Sequence, residues 1–175
     1  LAKGHFAIHL LIELPEAFLD LREMIAASDR IASIVFGKED FLTRFPTGSD
    51  RAADLAEARI PLIAAAAGVP AIASPYIAVQ DPKGFERYCQ RSRDLGYAGV
   101  LSIHPTQRAI ADDVFGISAL DLQSARTLID GSKEAQLVRL NGKLVGPPMR
   151  KRAHSLLQQA QAQSSTGSPI MIQTE

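Results

Sequence analysis

Short apolar runs alternate with amphipathic stretches over the first hundred residues. Phe6–Ile12 (FAIHLLI) is the first run. Behind it, Phe18, Leu21, Met24 and Ile25 recur at helical spacing, which predicts a helix over Glu16–Ser28 with Pro15 in its first turn. Ile31–Phe36 (IASIVF) reads as a second, β-branched strand, ended by Gly37 and followed by a polar loop to about Ser49. Asp50–Ala67 is a long Ala-rich helix stopped by Gly68, and Pro70–Ala73 a short third strand. Asp81-Pro82 reads as an N-cap plus first-turn proline, opening a helix that runs to Gly96. Gly99–Ile103 is the fourth strand.

Apolar strands separated by amphipathic helices predict an α/β fold with a parallel sheet buried on both faces. Two closures are open: a (β/α) barrel or an open doubly wound sheet. Neither G-x-G-x-x-G nor G-x-x-x-x-G-K-[ST] occurs, which lowers the nucleotide-binding open-sheet reading. The pattern then changes. Ser118 to Asp121 forms a capping-box variant for a helix ending near Gly131. Gln136–Leu140 and Lys143–Val145 flank Asn141-Gly142, a type I′ hairpin signal. Pro147-Pro148 leads into a last helix to about Ala162, and the Gln-, Ser- and Thr-rich end is expected to fray.

Composition narrows the classes. The 175 residues are 46% hydrophobic, which excludes a mostly disordered chain. Nineteen basic and nineteen acidic residues leave no net charge, which argues against nucleic acid as partner. The one cysteine, Cys89, sits mid-helix and reads as structural; it excludes a disulfide framework and fits a reducing, cytoplasmic compartment. The longest apolar stretch, Ile60–Ser74, is broken by Pro61, Gly68 and Pro70 and is too short to span a membrane.

Parallel β/α folds place their chemistry on the loops leaving the strand C-termini. Those loops carry Glu13, then Gly37-Lys38-Glu39-Asp40, then Ser74-Pro75-Tyr76, then His104-Pro105-Thr106-Gln107. Glu13 and Asp40 offer hard carboxylate oxygens on neighbouring strand ends, as Mg²⁺ prefers, and no His/Cys cluster competes for a softer metal. The plainer alternative makes Glu13 a helix cap and Asp40 a solvated loop acid, and Glu39 rivals Asp40. His104 reads either as a site histidine or as one satisfying its own loop. His9 alternates with apolar neighbours and reads as packed or lumen-facing. Arg139, Lys143, Arg150, Lys151 and Arg152 form a basic segment that suits a phosphorylated ligand, or simply a solvated helix start.

In order, LLIELPEAF, VFGKEDF, PAIASPY, DPKGF, GYAGVLSIHPTQ and LNGKLVGPP resemble the citrate lyase beta-subunit-like proteins of the HpcH/HpaI aldolase and malyl-CoA lyase superfamily. The resemblance runs to about Leu157. It implies a TIM (β/α)8 barrel of about 250 residues, of which this chain supplies strands five to eight. Residues 1–117 would form that C-terminal half, 118–162 a helix–hairpin–helix extension, and 163–175 a flexible tail. The half with strands one to four, and a substrate-holding arginine, would precede Leu1.

The same resemblance implies Mg²⁺ held by Glu13 and Asp40. It places Gly37 and Glu39 beside the substrate, and Pro75-Tyr76 and His104-Pro105 where an acyl-CoA or acyl-carrier thioester approaches. It implies a carbon–carbon lyase acting on citryl-, citramalyl- or malyl-type thioesters of small hydroxy- or oxo-acids, assembled as a homo-trimer or hexamer. The chain departs from the family pattern in places. Leu14 replaces a threonine, Val100 a lysine and Asn141 the first aspartate of the closing hairpin. Gly146 replaces its second aspartate, a catalytic acid/base in many members. Glycine transfers no proton, so the alternative is a diverged member that binds metal and oxo-acid or CoA without turnover.

Overall fold

The computed structural model describes residues 6–45, 47, 50–131, 137–140 and 142–166. The chain divides into two compact units, Leu1–Phe115 and Gly116–Glu175.

The first unit is a parallel sheet with helices. Its elements are β1 (Ile8–Ile12), α1 (Pro15–Leu19), α2 (Leu21–Ala26), β2 (Ile31–Phe36), α3 (Lys38–Leu42), α4 (Asp50–Ala67), β3 (Ala71–Ala73), α5 (Pro82–Leu95), β4 (Gly99–Val100) and α6 (Pro105–Phe115). The four strands pair in the order β1-β2-β3-β4, all parallel. Each step moves to the next neighbour in one direction, so the described sheet has no reversal of strand order.

Strand alternation sorts the two faces. Ile12, Ile34, Phe36, Ala71 and Ala73 enter the main core with Leu21, Phe41, Ile60 and Ala64 from the helices. Phe85, Cys89 and Val114 form a second cluster between α5 and α6. The opposite face carries His9, Leu11, Ser33 and Val35. There His9 Nδ1 lies 2.6 Å from Ser33 Oγ, its register partner on β2. Leu11 remains 49% exposed.

Three expectations shift. The helix foreseen over Glu16–Ser28 breaks at Asp20, whose φ of −93° and ψ of 8° separate α1 from α2. The loop foreseen after Gly37 holds a five-residue helix instead. Phe41 is buried there, edge-on to Phe36 and Phe18 and tilted on Phe45, so aromatic packing won over the polar look of the segment. The fourth strand is shorter than Gly99–Ile103. Leu101 N–H still bonds Ala73 C=O at 3.0 Å, but the Ile103 amide turns to Gln107 Oε1.

Pro61 lies inside α4 without ending it. A proline there frees the carbonyl four residues back. That carbonyl, on Glu57, accepts the Tyr97 hydroxyl at 2.9 Å instead.

The second unit holds α7 (Ala119–Asp130), the antiparallel pair β5 (Val138–Leu140) and β6 (Lys143–Val145), and α8 (Pro147–Thr166). Ser118 and Asp121 make both reciprocal bonds of the capping box. Gly142 has φ +78°, as the hairpin turn demands; Gln136 and Asn141 lie outside the described residues. α8 continues four residues past Ala162, and residues 167–175 of the tail fall outside the description. No helix among the described residues is long and apolar enough to cross a membrane.

Candidate functional site at the strand ends

Glu13 is the first residue beyond β1 and is half-buried. Its side chain lies against Gly37, the residue between β2 and α3. A Cβ built on Gly37 would overlap Glu13 Cγ and stand 3.2 Å from Oε1. With φ at −100°, Gly37 is there for space and not for backbone freedom. Its N–H bonds Ile12 C=O at 2.9 Å, extending the β1–β2 ladder to the base of Glu13.

Glu39 and Asp40 occupy the first turn of α3 and are exposed. The chain therefore brings Glu13 to the start of the helix that carries both acids. Lys38, between them and Gly37, pairs with Asp50 at 3.4 Å. Among the described residues no three His, Cys, Asp or Glu side chains cluster closely enough to hold a metal. What the strand ends show is a carboxylate lying in the space that any side chain at residue 37 would fill, and two exposed acids on the adjoining turn. Hard oxygens with open positions suit Mg²⁺, which keeps waters and ligand oxygens in its shell.

Pro75 and Tyr76 follow β3 and are half-buried. The Tyr76 ring packs inward on Phe85 and Tyr88, at centroid distances of 5.9 and 5.6 Å. Its hydroxyl donates to Asp81 Oδ2 at 3.1 Å, while Asp81 Oδ1 accepts Gly84 N–H at 2.8 Å as the N-cap of α5. These two donors hold the Asp81 carboxyl below its usual range, and partial burial with the nearby Asp81 pushes the Tyr76 phenol up. A Cβ on Gly84 would overlap both partners, which explains the glycine of the DPKGF segment. His104 and Pro105 are exposed at the start of α6. His104 Nδ1 lies 2.8 Å from Thr106 Oγ1 and 3.3 Å from the Thr106 amide, a local arrangement within its own loop.

Two buried polar residues join these loops and were not singled out by sequence. Ser74 Oγ donates to Phe36 C=O at 2.6 Å and accepts Lys38 N–H at 2.8 Å. Gln107 Nε2 donates to Tyr76 C=O at 2.8 Å, and its Oε1 accepts Ile103 N–H at 3.0 Å. Both sit in segments already marked by their strand-end position, but nothing in their identity signals a bridge.

The in-order parallel sheet with its flanking helices makes this an α/β protein. The chain belongs to the HpcH/HpaI aldolase/citrate lyase family, whose model matches residues 2–105. It is 34% identical over 137 residues to a citrate lyase subunit beta-like protein of Deinococcus radiodurans, covering 73% of this chain and 48% of that protein. It is 32% identical over 129 residues to a (3S)-malyl-CoA thioesterase of Cereibacter sphaeroides, covering 72% of this chain and 45% of that protein. The chain thus spans about half the length of the curated relatives it matches. A citrate lyase structure from Burkholderia xenovorans LB400 superposes with a TM-score of 0.79 at 21% identity, over 97% of this chain and 56% of that one. Such likeness speaks for the fold.

Proposed function

We propose that this chain is the strand-five-to-eight half of a (β/α)8 barrel. Residues 1–117 would form the half-barrel, 118–162 the helix–hairpin–helix extension and 163–175 a flexible tail. The in-order parallel sheet supports this reading, because barrels never reverse strand order. On the face away from the main core Ser33 and Val35 are buried while Leu11 is 49% exposed, so that face is covered only in part, where an all-parallel sheet needs both faces buried.

The function best supported is a Mg²⁺-dependent carbon–carbon lyase acting on a small hydroxy- or oxo-acid thioester of the citryl, citramalyl or malyl type. The observation that carries it is the close fit of Glu13 against Gly37 at the start of the helix bearing Glu39 and Asp40. The CitE protein of Mycobacterium tuberculosis, with a TM-score of 0.71 to this chain, was crystallised with magnesium, acetoacetate and coenzyme A, a ligand set of the same chemistry. Glu13 and Asp40 would hold the ion, with Glu39 beside the substrate. Bound there, Mg²⁺ supplies a Lewis acid and a template for a chelating oxo-acid. Pro75-Tyr76 and His104-Pro105 would form the wall along which the thioester lies. Assembly as a homo-trimer or hexamer in the cytoplasm completes the proposal.

Glu13→Ala and Asp40→Ala are each expected to abolish Mg²⁺-dependent oxo-acid binding in calorimetry; unchanged binding in either removes that residue from the metal site. Turnover of citryl-, citramalyl- and malyl-thioesters by the intact protein tests the lyase.

A second reading, binding without turnover, is favoured by Gly146. It is buried, and a Cβ there would meet Leu137 Cδ2 at 3.3 Å. A folded protein that binds Mg²⁺ and oxo-acid but cleaves none of the thioesters establishes this reading.

A further inference from the structure

Helix α3 has little to hold its first turn. It is five residues long, its N-cap is Gly37, and no side chain of that residue can cap it. Isolated helices of this length do not persist, because the first turn costs more entropy than its bonds return. Its first amide, on Lys38, is instead satisfied from another strand end, by Ser74 Oγ at 2.8 Å.

The same hydroxyl donates to Phe36 C=O at 2.6 Å. A serine hydroxyl has one proton to give, and here that donor and one acceptor site are both engaged. Ser74 is also gripped from behind: its carbonyl accepts the Tyr88 hydroxyl of α5 at 3.0 Å. The residue is 2% exposed, so water does not substitute for either bond. Ser74 thus sets the position of the β2 terminus and of the α3 start together. Those two points bracket Gly37, which touches Glu13, and lead into the turn bearing Glu39 and Asp40.

We propose that Ser74 is a positioning residue for the metal carboxylates: held at its carbonyl by Tyr88, it uses its hydroxyl to fix the start of α3 and so the placement of Asp40 relative to Glu13. This rests on the metal reading above. The role is indirect, since Ser74 acts through Lys38 and Phe36 backbone groups.

Calorimetric titration of the intact protein with Mg²⁺ tests it. Ser74→Ala deletes one oxygen and is expected to weaken Mg²⁺ binding about tenfold, as losses behind a metal ligand commonly do. Ser74→Thr returns the hydroxyl and is expected to recover most of that loss. Ser33→Ala removes another buried serine that bonds His9 away from the strand ends, and is expected to leave Mg²⁺ affinity unchanged. Wild-type affinity in Ser74→Ala, or an equal loss in Ser33→Ala, overturns the proposal. If Ser74→Ala does not fold, Tyr88→Phe decides: weakened binding supports the role and unchanged binding refutes it. A wild-type protein that binds no Mg²⁺ refutes the metal reading itself, which separates the two failures.

Discussion

Gly37 and Glu13 occupy one shared space: the missing side chain of the first is where the stem of the second lies. The two residues come from adjacent strand ends joined by the Gly37 N–H to Ile12 C=O bond. A carboxylate is thereby seated by a hydrogen atom across the ladder. Its position is a packing consequence, with no ion pair required.

Gly37→Ala is accordingly expected to push Glu13 aside. The variant should lose about 1–3 kcal/mol of stability through overpacking. Its Mg²⁺ affinity should fall by about tenfold or more. Denaturant titration and calorimetry read the two effects, and an unchanged affinity would show that Glu13 does not need this seat.

Gln107 bridges the loops after β3 and β4. Gln107→Ala strands the Ile103 amide and the Tyr76 carbonyl together, at an expected cost of about 2 kcal/mol or more. Gln107→Glu keeps the acceptor for Ile103 but loses the donor to Tyr76, and should fall between. Urea midpoints that rank the two variants otherwise would argue against the bridge.

Tyr97 matters for what Pro61 leaves behind. Removing its hydroxyl leaves the Glu57 carbonyl buried without its partner, so Tyr97→Phe should destabilise by about 1–3 kcal/mol. In a Pro61→Ala background the alanine amide can take that carbonyl, and the penalty should shrink. A double-mutant cycle with no coupling would contradict the pairing.

Glu57 gives a pH dependence of known sign. Burial raises its carboxyl above the ordinary carboxylate range, against the lowering influence of Arg91 (3.4 Å from Oε2) and Lys38; Asp54 raises it and Tyr88 lowers it. The folded state therefore holds this proton more tightly than the unfolded state. The resulting stability is present below the unfolded pKa and is lost as pH rises through the folded one. The difference in unfolding free energy between wild type and Glu57→Gln should fall across that window. A difference that rises with pH would reverse the assignment.

Cys89 is fully buried, and burial pushes its thiol up to about 11, with Glu86 adding to the shift. Thiol reagents near pH 8 should leave it untouched in the native protein and modify it fully in denaturant. Rapid native labelling would mean that the α5–α6 cluster opens readily.

Short apolar runs located the four sheet strands, because each is a local feature of the chain, although β4 is shorter than its run. β2 and α4 begin and end where their residues predict, and the Asp81 and Ser118 caps form as their spacing requires. The family was legible for a related reason, since its motifs are strings of neighbours at strand ends. α3 was not legible: its helicity depends on Phe41 finding Phe36 and Phe18, and on Ser74 reaching back 36 residues to Lys38. Nor were the contact of Gly37 with Glu13, the Gln107 bridge or the Tyr97 hydroxyl on the Pro61 gap. Local propensity chooses elements through neighbours in the chain. Cradles and bridges arise only when separate strand ends are brought within bonding distance, and that distance belongs to the fold.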